Sequence, residues 1–183
     1  MKIREATVDD AQVLGRVMVE SFLAAHQGQI PDEAWRKRVD EWTPDVSARG
    51  WARVLADQAV GNAPRDVLLV AEDDAGAVNA LLYGIPADDD LSGATARISA
   101  LYVAPDAVGR GIGAALVKAS ARTFADLGFA ALTLDVLTSN RPARGFYEAI
   151  GGVEVGRGTV DEEGSLLPVT VYGWADLTAL IGE

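Results

Sequence analysis

The chain is predicted to fold as a mixed α/β domain, with a central, mostly antiparallel twisted sheet of about seven strands flanked by helices. Two observations predict this fold. Short runs typical of strands occur along the whole sequence, and most are joined by tight turns, as in hairpins. Stretches with apolar residues at helical spacing interrupt them, which gives the order β-α-α-β-β-β-α-β-α-β-β. Residues 1–183 are enough for a single domain with a substantial core.

The N-terminal third is predicted to be mainly helical. Lys2 to Ala6 alternates as a short strand, and Thr7 is expected to cap a helix that continues to about Ala25. Residues 31–61 also have a helical pattern, although Pro44 and Gly50 interrupt it. The region 8–65 is therefore interpreted as a helical, substrate-side region.

The rest of the chain alternates between strands and two single helices. Predicted strands occupy residues 66–72, 77–85, 94–103, 130–137, 153–160 and 167–175, and the predicted helices run from about 112 to 127 and from 142 to 150. A tight turn at 73–76 joins the first two of these strands, and Asp161 to Gly164 turns the last hairpin. Residues 86–93 are predicted to form an exposed loop.

Composition excludes several classes of protein. The net charge of −11 argues against nucleic-acid binding and slightly favours a cationic or amine-bearing substrate. Without cysteine there are no disulfides, thiolate metal sites or cysteine nucleophiles, and a single histidine, His26, excludes a multi-histidine metal site. Neither an apolar leader nor a run of roughly 18 apolar residues occurs, so the expected protein is cytoplasmic, without a membrane partner or a bound metal.

A glycine-rich segment between a strand and a helix is the clearest functional signal. After the strand that ends near Val103, Gly109, Gly111 and Gly113 alternate up to the start of the next helix. Glycines allow backbone N–H groups to converge, and a helix N-terminus adds partial positive charge. This combination favours a bound phosphate or pyrophosphate.

Three interpretations of these glycines compete. The segment satisfies the dinucleotide pattern G-x-G-x-x-A, with Asp135 further along, but residues 104–108 separate the strand from the glycines and too few βαβ units follow. A glycine turn without a ligand would need fewer glycines. The third interpretation is a coenzyme A pyrophosphate site, which depends on a resemblance to a known family.

Two motifs resemble those of the GNAT (GCN5-related N-acetyltransferase) superfamily. One comprises Leu101-Tyr102-Val103-Ala104-Pro105 and Gly111-Ile112-Gly113, and the other is Asn140-Arg141-Pro142-Ala143-Arg144-Gly145-Phe146-Tyr147, followed by Gly151. The resemblance covers roughly residues 66–175. It departs from the family pattern at Val108, where the family has Arg or Gln, although Arg110 could replace some of the missing charge.

The resemblance implies acetyl-CoA as co-substrate, held where the fourth and fifth strands splay apart. The implied cofactor-binding residues are Leu101, Val103, Val108, Gly109, Arg110, Gly111, Ile112, Gly113, Ala114, Asn140 and Ala143. It also implies that a backbone N–H near Val103 stabilises the oxyanion and that Asn140 bonds the pantetheine. Tyr147 is the implied general acid, which would protonate the departing thiolate.

No general base follows from the sequence. Arg97 stands where many relatives have a glutamate, and an arginine cannot accept the proton. Candidates are Asp135, Glu20, Glu33 and His26, while a water relay or an already deprotonated amine is equally consistent.

The predicted function is transfer of an acetyl group to a primary amine of a small molecule or peptide. Alternatives are transfer from another acyl-CoA and a non-catalytic acyl-CoA sensor. Residues 26–65 and the loop 86–93 are expected to line the acceptor site, where acidic side chains would suit polyamines, aminoglycosides or basic peptide N-termini; they are Asp32, Glu33, Asp40, Glu41, Asp88, Asp89 and Asp90. The edge of the C-terminal hairpin and the resemblance predict a homodimer.

Overall fold

The computed structural model describes residues 1–87 and 94–182. Its strands follow the predicted order, and it has two helices more than predicted. The strands are β1 (Lys2–Glu5), β2 (Val67–Glu72), β3 (Val78–Pro86), β4 (Thr95–Val103), β5 (Ala131–Leu137), β6 (Val153–Glu162) and β7 (Ser165–Trp174). The helices are α1 (Ala11–His26), α2 (Asp32–Glu41), α3 (Pro44–Ala59), α4 (Ile112–Asp126), α5 (Arg141–Ala149) and α6 (Leu177–Ile181). Short 3₁₀ turns precede α1 and α4.

The strands form one sheet in the order β1-β2-β3-β4-β5-β7-β6. Adjacent strands run antiparallel, except for β4 and β5, which are parallel. Their pairing begins at Thr95 with Ala131 and stops at Ile98 with Leu134, while β4 continues to Val103. The predicted fold class and the splay of the fourth and fifth strands are therefore confirmed.

Helices cover both faces of this sheet. On one face, α4 and α6 pack against strands β2 to β5 through side chains that include Leu116, Phe124 and Leu177. On the other face, α1 and α3 pack through Leu14, Val17 and other side chains against β3 and β4. Strand β3 serves both cores, because successive side chains of a strand point to opposite faces.

Some boundaries differ from the predictions. The helical stretch 31–61 is two helices, because Thr43 caps α3 by accepting a hydrogen bond from Val46 N–H and Pro44 starts the new helix. The last hairpin turns at Glu163 and Gly164 alone, since β6 extends to Glu162. Helix α6 was not predicted. Most of the predicted loop 86–93 lies outside the described residues.

This topology is not the doubly wound sheet that a dinucleotide-binding domain requires. Here hairpin-connected strands dominate, and α4 alone links a parallel pair. The dinucleotide interpretation is therefore wrong. Within the described ranges, no helix has the length and apolarity needed to cross a membrane.

Candidate active site

The gap between β4 and β5 exposes backbone groups of β4. Ala104 N–H donates to Asn79 on the β3 side at 2.8 Å, and hydrogen-bonded pairs alternate along an antiparallel ladder. Tyr102 therefore points its backbone groups at β3, whereas Leu101 and Val103 point theirs at the gap. Both residues lie where the sequence predicted backbone contacts to an extended ligand.

A cleft of about 1000 Å³ follows this gap from the glycine segment to the C-terminal end of α1. Most predicted binding residues line it: Leu101, Val103, Val108, Gly109, Gly111, Ile112, Gly113, Asn140 and Ala143. Tyr147 lines it as well. Two predicted residues do not. The Arg110 guanidinium turns back to the Asp106 carbonyl at 2.8 Å, and Ala114 offers only its backbone N–H in the first turn of α4.

The glycine segment is shaped to bind an anion. Gly109 and Gly111 have φ of 82° and 79°, in the left-handed region that side chains other than glycine disfavour. Gly111 is the N-cap of α4, whose first turn carries no acidic side chain. The unpaired N–H groups at this end of a 15-residue helix, with the helix dipole behind them, favour a phosphate.

The two motifs pack directly against each other. A Cβ on Gly113 would lie 3.2 Å from Cζ of Phe146, so the absence of a side chain lets α5 approach the start of α4. Asn140, which is buried, caps α5 by accepting a hydrogen bond from Ala143 N–H at 3.1 Å. Its amide nitrogen is the group left to donate to a ligand.

Tyr147 presents a protonated hydroxyl to the cleft. Its ring packs among Phe146, Tyr172 and Trp174, with centroids 5.1, 5.9 and 6.4 Å away. Burial, with a smaller contribution from Tyr102, raises the pKa of Tyr147 well above its usual range. Its hydroxyl makes no hydrogen bond to another group in residues 1–87 or 94–182, so it can donate to a ligand.

The candidate bases separate into two groups. His26 and Asp135 line the cleft, so either can reach a ligand there. Glu20 and Glu33 are exposed on α1 and α2 and do not line it, because they lie on the solvent-facing sides of their helices. As candidates, Glu20 and Glu33 are therefore wrong.

The expected acidic lining of the acceptor region is also wrong where it can be checked. Asp32, Glu33, Asp40 and Glu41 are exposed on α2 and do not line the cleft. The helix turns a narrow apolar side inward, with Ala34 buried, and its charges outward. Asp88, Asp89 and Asp90 lie outside the described residues.

A polar cluster at the α1 end of the cleft was not found from the sequence. Glu162 on β6 accepts a hydrogen bond from Arg38 of α2 at 2.5 Å, and the Arg38 guanidinium also lies 5.5 Å from the Phe22 ring centroid. Burial and the Glu162 carboxylate raise the pKa of Tyr102 to about 12. No local motif joins these residues, which come from four separate elements.

His26 belongs to the same cluster. Its ring stacks on Phe22 with centroids 4.3 Å apart, and its Nδ1 lies 2.9 Å from the Phe22 carbonyl oxygen. Burial lowers the pKa of His26, against smaller opposing effects of the Phe22 carbonyl and the Glu162 carboxylate. The imidazole is therefore neutral at pH 7.

Known structures share this fold over nearly their whole length. Ribosomal-protein-alanine N-acetyltransferase from Brucella melitensis has a TM-score of 0.72 at 20% identity, covering 96% of this chain and 99% of that one. PaiA N-acetyltransferase from Thermoplasma acidophilum, in complex with coenzyme A, has a TM-score of 0.70 at 19% identity, and the match covers 92% of this chain and 96% of that one. YncA from Salmonella typhimurium, with acetyl-CoA, has a TM-score of 0.70 at 19% identity, and the match covers 97% of this chain and 94% of that one.

At these identities the structural matches show the fold alone. A comparison with curated protein sequences found no significant match. The family assignment comes from a model described as the acetyltransferase (GNAT) family, which matches residues 29–152, more than half of the chain. This chain therefore belongs to the GNAT family of acetyltransferases, as its two motifs indicated.

Proposed function

We propose that this protein transfers an acetyl group from acetyl-CoA to a primary amine of a small molecule or peptide, by direct attack with both substrates bound. One observation carries the proposal: the splay of β4 from β5 joins a phosphate-binding helix N-terminus to the hydroxyl of Tyr147 within one cleft. The fold neighbours PaiA and YncA, whose structures hold coenzyme A and acetyl-CoA, support the choice of co-substrate.

Residues along the cleft would bind successive parts of acetyl-CoA, from the pyrophosphate to the pantetheine. The backbone N–H groups from Gly109 to Ala114 would hold the pyrophosphate. Leu101, Val103 and the Asn140 amide would bond the pantetheine, and Ala143 borders it. Val108 contributes only apolar surface at the mouth, where it is 65% exposed.

The chemistry follows from the groups at the inner end of the cleft. The amine nitrogen attacks the acetyl carbonyl carbon, a C–N bond forms and the C–S bond breaks. The Val103 N–H donates to the carbonyl oxygen as negative charge develops, a contribution worth about 3 kcal/mol for one such donor. Tyr147 donates its hydroxyl proton to the departing sulfur, and burial keeps that proton in place until then.

Tyr147→Phe tests the proposal. Calorimetric titration should give micromolar binding of acetyl-CoA by wild type and variant alike, and no binding of NAD. Turnover over a panel of amines should fall about 100-fold in the variant, because a positioned acid typically contributes 10²–10⁴-fold. Binding without turnover by wild-type protein would instead support an acyl-CoA sensor, and the same assay with longer acyl-CoAs would reveal a different donor.

Tyr172→Phe is the matched control. The Tyr172 hydroxyl donates to Glu148 and accepts from Arg144, and Tyr172 does not line the cleft. Its loss should lower stability and leave turnover unchanged. If Tyr147→Phe behaves like this control, Tyr147 has no part in the reaction.

The proposed assembly is a cytoplasmic homodimer formed through the C-terminal hairpin. Strand β6 is an edge of the sheet, and it exposes Val153 and Val155, which are 63% and 60% accessible. Sedimentation of wild type and Val155→Lys tests this: the variant should be monomeric.

A further inference from the structure

His26 is held in a defined orientation on the wall of the cleft. It is the one histidine of the chain, and it lies in the last turn of α1. Because a carbonyl oxygen can only accept, the 2.9 Å contact with the Phe22 carbonyl requires that Nδ1 carry the proton. The stacked Phe22 ring fixes the plane of the imidazole. A neutral imidazole in this tautomer leaves Nε2 as a proton acceptor.

The position of α1 places this ring in the cleft that also contains the proposed reacting groups. Ser21, one turn before His26, donates a hydrogen bond to the Val103 carbonyl at 3.0 Å. Ser21, Phe22, Ala25 and His26 all border the cleft that also contains Tyr147 and the gap-facing backbone of Val103. His26 therefore shares one cleft with the groups that are proposed to act on the acetyl group.

Charged and titratable groups of β4, β5 and β6 share the cleft with His26. Glu162 of β6 is the carboxylate whose charge acts on the His26 pKa, and it accepts a hydrogen bond from Arg38 of α2. Tyr102 and Arg97 of β4 and Asp135 of β5 line the same cleft. Glu162 favours a cation at this end, both on the incoming amine and on the imidazole once it is protonated.

We infer that His26 is the proton acceptor of the transfer reaction, taking a proton from the acceptor's ammonium group at Nε2. The inference rests on the proposed acetyl transfer. Of the three ammonium protons, one passes to Nε2 and on to solvent, and one replaces the proton that Tyr147 gives to sulfur. The third remains on the amide product.

Other groups in the cleft are less suited to this role. Arg97 cannot accept a proton, and Glu162 already accepts from Arg38. Asp135 is exposed at its position on β5, so no neighbouring group in the described ranges orients its carboxylate as the Phe22 carbonyl orients the imidazole. An imidazole has a basicity close to working pH, which is the condition for an effective base.

The single histidine allows a direct test that does not depend on activity. Long-range ¹H–¹⁵N correlation spectra of ¹⁵N-labelled wild-type protein should show one imidazole with Nδ1 protonated and Nε2 unprotonated at pH 7, and its titration midpoint should lie below that of a free histidine. The Nε2–H tautomer, or an imidazole already charged at pH 7, would overturn the inference even if the protein acetylates amines.

The kinetic test uses His26→Asn, because an asparagine amide can still donate to the Phe22 carbonyl. The variant should bind acetyl-CoA with unchanged affinity and lose about 100-fold in kcat/KM at pH 7. The deficit should shrink as the pH rises and the free amine becomes abundant. If the variant keeps the wild-type kcat/KM and the acid side of its pH profile is unchanged, His26 takes no part in the reaction. If wild-type protein itself transfers no acetyl group, the proposed function fails first.

Discussion

The hydroxyl of Ser21 donates a hydrogen bond to the carbonyl oxygen of Val103, 3.0 Å away, and so ties α1 to the end of β4 that borders the gap. Ser21 is buried, and its partner has no neighbouring strand on that side. The bond replaces the ladder contact that β5 would supply in a continuous sheet. It restrains the backbone of Val103, whose N–H is proposed to bind the ligand.

Ser21→Ala should therefore weaken ligand binding as well as stability. The lost bond leaves a carbonyl without its partner, which costs about 1 kcal/mol. The same loss of positioning lowers acetyl-CoA affinity about fivefold, measured by calorimetric titration. Ser120→Ala is the control, since Ser120 is also buried and donates to the Val117 carbonyl at 2.9 Å, but in α4 and off the cleft. An equal loss of affinity in both variants would contradict this account.

Gly111→Ala should reduce acetyl-CoA affinity by about tenfold or more. At φ 79° a Cβ costs about 1 kcal/mol, and relief of that strain would rotate the N–H groups that are proposed to hold the pyrophosphate. Gly61→Ala is matched, because Gly61 has φ 76° and an added Cβ would also meet nothing within 4 Å. Both variants should lose similar free energy of unfolding, and the Gly61 variant should bind acetyl-CoA normally.

Val108→Arg should tighten acetyl-CoA binding. Val108 is 65% exposed at the mouth of the cleft, next to the N-terminus of α4, so an arginine there can reach a bound phosphate without disturbing packing. A surface charge pair contributes about 0.5 kcal/mol, so the expected gain is about twofold, and it should fade as salt is added. Val60→Arg adds the same charge at a 72% exposed site outside the cleft, and it should leave the affinity for acetyl-CoA unchanged.

Arg4 and Asp10 should give the protein a specific acid sensitivity. The guanidinium bonds both carboxylate oxygens, at 2.7 and 2.8 Å, and lowers the pKa of Asp10 against the opposing effect of burial. A lowered pKa stabilises the fold above the unfolded value of about 3.9, and the contribution is lost as the pH falls through the folded value.

Arg4→Met removes that contribution. Urea unfolding at pH 7 should show a loss of about 2 kcal/mol, because the buried Asp10 carboxylate loses its cationic partner and the Arg4 pair with Glu72 is lost as well. Between pH 5 and pH 3 the variant should lose less further stability than wild type. Lys37→Met breaks an ion pair with Glu163 at the surface, and it should change the free energy of unfolding little at pH 7 and at pH 3. A variant with the wild-type acid profile would contradict the assignment.

Local patterns were sufficient for the strands, for most helices and for the proposed cofactor-binding motifs. Alternation and turn residues predicted each strand, because these signals depend on a few neighbouring residues. For the same reason, the glycines 109, 111 and 113 and the block from Asn140 to Tyr147 could be found from the sequence, and the structure brings them to one cleft. Boundaries were less accurate, as at Pro44, where one predicted region became two helices.

The acceptor half depended on contacts between distant parts of the chain. Arg38 and Glu162 are 124 residues apart, and Ser21 and Val103 are 82 apart, so no window of sequence contains either pair. Sequence patterns also cannot distinguish a charge on the solvent side of a helix from one in a cleft. For that reason Glu20 and Glu33 were candidates, whereas Glu162 was not.

By itself, the sequence determined the fold class, the glycine segment proposed to bind an anion and the resemblance to an acetyltransferase family, since each depends on short-range residue order. Only the tertiary structure decided where β4 leaves β5, which backbone groups face the gap, and that His26, Glu162 and Tyr102 meet beside it. Those features arise when the helices pack on both faces of the sheet, because packing sets the strand splay and brings together side chains from separate elements.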